Sequence, residues 1–263
     1  MADRNRIKQI TDTILRRSKA DATETLVFAE DSQLTRFANS AIHQNVAEMN
    51  LEVRVRAILG RRQGVVSTND VRPEALARAA DQALEAARLQ PERETDIPLA
   101  EPATISPVLA FSEPTAACTP RRRAEAVATI CRLAGEAGLA ASGAFSTGAW
   151  SLAVANSRGL FAFHSSTRAA FTVVIMGEDS SGYAAGAAWD IEQLDTEALG
   201  REAIATALLG RRPRAMAAGE YPVVLKPYAV CDVLGTLGAI GFGALAVQEQ
   251  RSFLAGRIGE QVA

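Results

Sequence analysis

Near the start of the chain Ile7, Ile10, Ile14 and Leu15 recur at helical spacing with charged residues between them, which predicts an amphipathic helix over residues 3–20. The stretch ETLVFAEDSQLTRFANSAIHQN offers only short β-like runs broken by polar residues. MNLEVRVRAI is clearer. Leu51, Val53 and Val55 alternate with Glu52, Arg54 and Arg56, so one face of this strand is buried and the other wet. LGRRQG reads as a turn and VVSTN as the returning strand, which makes the pair a hairpin.

Pro73 and Glu74 open a second helix that runs to about Leu89, with Leu76, Ala80, Ala83 and Ala87 as its apolar stripe. Proline suits a first helical turn, and a glutamate there faces the positive end of the helix dipole. Residues 91–117 are proline-rich and lack periodicity. Ile105, Val108, Leu109 and Phe111 within them predict an extended linker that wraps the domain. Thr119-Pro120 caps a helix to about Gly138. A β meander follows, in which Phe171, Val173 and Ile175 alternate and NSRG and EDSSG make the turns. A helix over 195–211 closes this part, and GEYPVVLKP is predicted to be a new strand.

Strands and helices therefore cluster in blocks, which implies an α+β fold of mostly antiparallel sheet packed by helices. The two helix–strands–helix halves are candidate structural echoes of one another. The segment CDVLGTLGAIGFGALAVQEQ is nearly uncharged, with Gly235, Gly238, Gly241 and Gly243 closely spaced. Its uncharged run from Val233 to Val247 is shorter than the ~20 residues of a membrane span. Each helical glycine costs about 1 kcal/mol relative to alanine, so the segment is expected to be a tightly packed helix.

Composition narrows the function classes. Apolar residues make up 48% of the 263-residue chain and charged residues 22%, enough for a sizeable core without metal or disulfide staples. The formal net charge of −2 supplies no global attraction for nucleic acid or anionic lipid. Cys118, Cys131 and Cys231 form no close pair, and the first residues carry no apolar secretory run, so a reducing, cytoplasmic location is expected.

Candidate chemistry is sparse. His43 and His164 are the two histidines, and neither has a carboxylate or cysteine at ligand spacing. No phosphate-binding glycine loop and no GxSxG motif occur. Arg54, Arg56, Arg61 and Arg62 form a basic patch on the predicted hairpin, readable as a solvated face or as a contact surface for a peptide carboxylate, an acidic partner or nucleic acid, the last disfavoured by the slight net negative charge.

Four stretches, taken in order and spacing, carry a family resemblance: RFANSAIHQNVAEMNLEVRVRAILGRRQGVVSTND, PEALARAADQALEAARLQP, VANSRGL, and GEYPVVLKPYAVCDVLGTLGAIGFGALAVQEQRSFLAGRIGEQVA. In these the chain resembles the TldD/PmbA (TldE) family. The resemblance implies an N-terminal α+β domain over 1–217 and the first strand and helix of a C-terminal domain over 218–263, incomplete within a longer reading frame. It also implies a cytoplasmic, heterodimeric zinc metallopeptidase acting on small or unfolded peptides. The TldD-type subunit of such a pair carries HExxxH on a helix that follows a proline-terminated strand. Here YPVVLKP leads into YAVCDVLGTLGAIGFGALAVQEQR, which contains no histidine. The expectation is a non-catalytic, TldE/PmbA-type subunit with no catalytic or metal-ligating residue of its own, zinc in a TldD-type partner, and no membrane or nucleic-acid partner. A binding or regulatory module resembling the gyrase modulators of the family, and an independent hydrolase with unfamiliar residues, stay open beside it.

Overall fold

A computed structural model describes residues 3–261 and divides into two compact units, Met1–Pro213 and Arg214–Ala263. The first unit repeats one plan. Helix α1 (Arg4–Arg17) leads into strands β1 (Ala22–Ala38), β2 (Ala41–Leu59) and β3 (Arg62–Thr68), and α2 (Pro73–Arg88) follows. After a linker and the single turn α3 (Glu113–Ala116) the plan recurs as α4 (Pro120–Glu136), strands β4 (Ala140–Asn156), β5 (Phe161–Met176) and β6 (Ser181–Ala188), and α5 (Thr196–Leu209). The six strands form one antiparallel sheet in the order β3-β2-β1-β4-β5-β6, so the two halves meet along β1 and β4.

The helices begin where the sequence supplies caps. The side chains of Asp3, Thr119 and Asp195 accept backbone N–H groups of the first turns of α1, α4 and α5. Period-2 alternation then decides what each helix covers. Val27, Ala29, Val53, Val55 and Ala57 point to one face of the sheet and are buried with Ile7, Ile10 and Ile14 of α1 and Leu76, Ala80 and Ala83 of α2. Phe145, Phe171, Val173 and Ile175 on that same face are likewise buried, as are Val127, Ile130 and Ala134 of α4. Phe171 stacks on Phe37 at 6.2 Å and meets Phe145 edge-on at 5.6 Å, which ties β1, β4 and β5 together.

Each edge strand carries a glycine that lets a helix backbone come close. A Cβ on Gly64 of β3 would lie 2.3 Å from the Ala83 carbonyl oxygen of α2, and one on Gly182 of β6 would lie 1.9 Å from that of Ala203 in α5. The two halves thus share a packing device as well as an order of elements, in keeping with the echo suggested by the sequence.

Arg123 of α4 is fully buried with no carboxylate beside it. Its Nε donates to Thr35 Oγ1 at 3.1 Å, and its Nη1 lies 2.9 Å from Gln33 Oε1 and 3.1 Å from both Thr147 Oγ1 and the Cys118 carbonyl oxygen. Gln33 and Thr35 belong to β1, Thr147 to β4. The guanidinium therefore fastens α4 across the junction of the two halves.

Three expectations need correction. The broken runs before MNLEVRVRAI are two long strands, β1 and β2, joined at Asn39 and Ser40, whose φ values of 49° and 59° make the left-handed two-residue hairpin turn. Of the linker's apolar residues Ile105, Val108 and Leu109 are exposed rather than packed, whereas Phe111 is half-buried and Leu99 buried. Polar bonds pin it: Asn156 Nδ2 donates to the Ala100 carbonyl and Thr167 N to that of Ala110, while Ser112 N donates to Thr167 Oγ1. Finally, GEYPVVLKP is not a strand. Residues 221–226 have no regular structure, and Val224 is 99% exposed. A strand is held by its ladder, and no described strand pairs with this segment.

The second unit holds α6 (Pro227–Gly241) and α7 (Ala244–Gln248). Tight packing of the glycine segment is met at one point. A Cβ on Gly241 would lie 2.3 Å from the Phe253 ring, whereas Gly235 has nothing near it among the described residues. Val233, Leu234, Ile240 and Phe242 are exposed.

Two substitutions test this account by urea denaturation. Arg123→Met leaves buried oxygens on β1 and β4 without their donor and is expected to lower the unfolding free energy by about 3 kcal/mol. Gly64→Ala forces β3 and α2 apart and is expected to cost about 2 kcal/mol.

Candidate functional site

The helices of the first unit take one face of the sheet, and the opposite face carries the alternate side chains of β1, β2, β4 and β5. Cross-strand register arranges these in rows. Glu48 of β2 pairs with Ser32 of β1, Ser32 with Gly148 of β4, and Gly148 with Arg168 of β5. On one side lies the row Val46, Leu34, Ser146 and Ala170; on the other lies Asn50, Glu30, Trp150 and Ser166.

These rows enclose a groove of about 660 Å³. Its middle is low because the central row carries serine and glycine where the neighbouring rows carry leucine and tryptophan. The Trp150 ring fills the place of the missing side chain, since a Cβ on Gly148 would stand 2.7 Å from its Cη2. Trp150 and Arg168 also line an adjoining hollow of about 500 Å³, which Trp189 and Ala188 complete. Both tryptophans of the chain therefore border this surface. Glu48 and Arg168 are exposed and form no ion pair among the described residues. Arg36, at the far end of the groove, donates to Gln44 Oε1 at 3.3 Å.

The arginines singled out in the sequence occupy two places. Arg54 and Arg56 extend from β2 on this same open face, beyond the groove. Arg54 Nε lies 2.6 Å from Glu52 Oε1, and Arg56 Nη2 lies 2.8 Å from Glu24 Oε1. The Arg54 guanidinium holds the Glu52 carboxyl below its ordinary range. Arg61 and Arg62, at the β2–β3 turn, share Glu92 of the linker at 3.0 and 3.4 Å. Four guanidiniums are thus met by three carboxylates, so the patch is far less positive than its sequence suggests.

Nothing in the described residues fits a zinc site. His43 lies on β2 and His164 on β5, both exposed, and no three His, Cys, Asp or Glu side chains gather to hold a metal. Cys118 is buried, Cys131 half-buried and Cys231 exposed, each as a free thiol. Burial raises the pKa of the Cys131 thiol and so keeps it protonated.

Glu30, Glu48, Trp150 and Arg168 were not singled out by the sequence. Each sits in a strand where an isolated polar or aromatic residue carries no motif, and only the register brings them together. The two tryptophans, rare residues in small-residue surroundings, were the available signal. As an exposed pair, Arg54 with Glu52 contributes little. Arg54→Gln is expected to leave the thermal unfolding midpoint nearly unchanged, with any difference vanishing in high salt.

Sequence profiles of three domains match the chain in order: PmbA/TldA metallopeptidase domain 1 over residues 26–87, the central domain over 122–211, and the C-terminal domain over 218–263. No curated protein matched. Among solved structures, TldE from Thermococcus kodakarensis is 19% identical with a TM-score of 0.77, covering 98% of this chain and 59% of its own. A protein described as a candidate modulator of DNA gyrase from Thermotoga maritima is 18% identical with a TM-score of 0.82, covering 97% of this chain and 60% of its own. A protein described in the same way from Bacteroides thetaiotaomicron is 18% identical with a TM-score of 0.80, covering 100% and 63%. At these identities the likeness is one of fold, and the chain spans about three fifths of the length of each structure. With all three domain profiles matched in sequence order, the chain belongs to the PmbA/TldA metallopeptidase family.

Proposed function

We propose that this chain acts as the non-catalytic, TldE/PmbA-type subunit of a two-subunit, cytoplasmic zinc metallopeptidase whose substrates are small or unfolded peptides. The observation that carries the reading is a sequence of the right family with the wrong residues in one helix. Between Tyr228 and Arg251, where the family resemblance places HExxxH, there is no histidine. Hydrolysis by zinc needs ligands for the ion and a base for its water; α6 has no histidine, and its Cys231 and Asp232, adjacent in the chain, do not reproduce the HExxxH spacing. The zinc and the general base would come from a TldD-type partner. This chain would complete the assembly and present the open sheet face, with Arg54 and Arg56 beyond its groove, to the peptide. No described helix is long and apolar enough to cross a membrane.

The descriptions of two structural relatives as candidate modulators of DNA gyrase support a competing reading, a regulatory binding module with no proteolytic role. Cleavage of an unstructured peptide separates the two. The full-length protein should be inactive alone and active when mixed with a TldD-type partner, with zinc in proportion to the partner. Activity with stoichiometric zinc in the unmixed protein would overturn the proposal. Salt-sensitive DNA binding without any cleavage in the mixture would favour the regulatory module.

A further inference from the structure

We infer that the open-face groove is a binding site for short peptides with free ends, with Glu48 receiving the terminal ammonium and Arg168 the terminal carboxylate. The choice of a peptide as occupant rests on the function proposed above; the two-ended form of the site does not.

Spacing sets the first constraint. Glu48 and Arg168 stand at opposite ends of one cross-strand row, separated by Ser32 and Gly148. Three steps between neighbouring strands, at about 4.8 Å each, place their backbones about 14 Å apart. Four residues of extended chain reach about 13 Å. Both side chains rise from the same face and can lean inward, so peptides of three or four residues bridge the interval.

Charge adds the second constraint. Across that interval the two side chains are screened from one another, since the Debye length is about 8 Å at physiological ionic strength. Neither has an ion-pair partner among the described residues. By contrast Arg54, Arg56, Arg61 and Arg62 each have a carboxylate at hand. Glu30, one row along on β1, reinforces the acidic end. An ammonium and a carboxylate on one extended molecule would meet Glu48 and Arg168 at once, while Glu30 and Arg36, which also border the groove without an ion pair among the described residues, lie off this row. A uniformly charged ligand would be attracted at one end and repelled at the other.

The floor supports the same occupant. The sheet's own ladder uses the backbone groups of β1 and β4 beneath the groove, so a peptide lying across the strands cannot join as another strand. It must be held through its ends and through contact with the Trp150 indole and the Ser32 and Ser146 hydroxyls. Such a site reads free termini and tolerates varied side chains between them.

Trp150 and Trp189 are the chain's two tryptophans and both border the site, so intrinsic fluorescence reports on it directly. The 263-residue chain should show a saturable change with tetra-alanine. Acetylation of the amino end or amidation of the carboxyl end should each weaken binding about tenfold or more. Arg168→Gln should weaken tetra-alanine to the level of its amide and leave the amide unaffected; Glu48→Gln should do the same for the acetylated end. Trp150→Phe, with Trp189 left as reporter, should still discriminate free from blocked peptides.

Equal binding of free and blocked peptides would overturn the inference. So would absence of binding by calorimetry as well as fluorescence, or a concentration-dependent dimer lost in the same variants, which would assign the face to a second copy. The outcomes also separate this inference from the proposed function. End-dependent binding with no cleavage in the mixed assay leaves the site and removes the peptidase role. Cleavage without end-dependent binding does the reverse.

Discussion

The junction of β1 with β4 is the constraint on which the first unit rests, and a single guanidinium spans it. Burying a charge without a counter-ion is costly unless every donor finds an oxygen. Arg123 offsets this cost through its Nε and Nη1, which donate to side chains from both strands and to a carbonyl from the turn before its own helix. The position of α4 over the sheet, the register of the two halves and the placement of the groove are thereby linked. Gln33 and Thr147, which accept from Arg123 on the helix side, are the immediate chain neighbours of Ser32 and Gly148 on the open side. A change beneath the sheet therefore reaches the floor of the groove through two strands only.

Sequence legibility followed the strength of local signals. The helices were readable because Asp3, Pro73, Thr119 and Asp195 mark their starts and apolar stripes mark their buried faces. The strand around Val53 and Val55 was readable because its alternation is clean. The middle of the β1–β2 hairpin was not, because Asp31, Ser32 and Gln33 face Met49, Glu48 and Ala47 across the ladder and blur that alternation. The polar residues that made the segment look like broken loop are those that border the groove. GEYPVVLKP failed in the opposite direction: its β-branched residues suit a strand, but propensity cannot supply a ladder partner.

The candidate site was illegible for a different reason. Glu48 and Arg168 are far apart in the chain, and three strand pairings must be known before they share a row. The arginine patch was conspicuous in sequence because its members are close together, and the same compactness brings them within reach of Glu24, Glu52 and Glu92. Local density of charge identified a neutralised surface, whereas the unpaired charges were dispersed.

The repetition of helix, three strands and helix has a consequence for any ligand lying over the junction. Two copies of one plan, joined through antiparallel central strands, approximate a twofold axis through the sheet. A surface built on such an axis would by itself treat the two directions along a peptide alike. Here β2 of the first half carries Glu48, and its counterpart β5 carries Arg168. The scaffold is nearly symmetric while its charges are opposite. The difference between the halves gives the face a polarity, so that the amino and carboxyl ends of a chain bound across it would not be interchangeable.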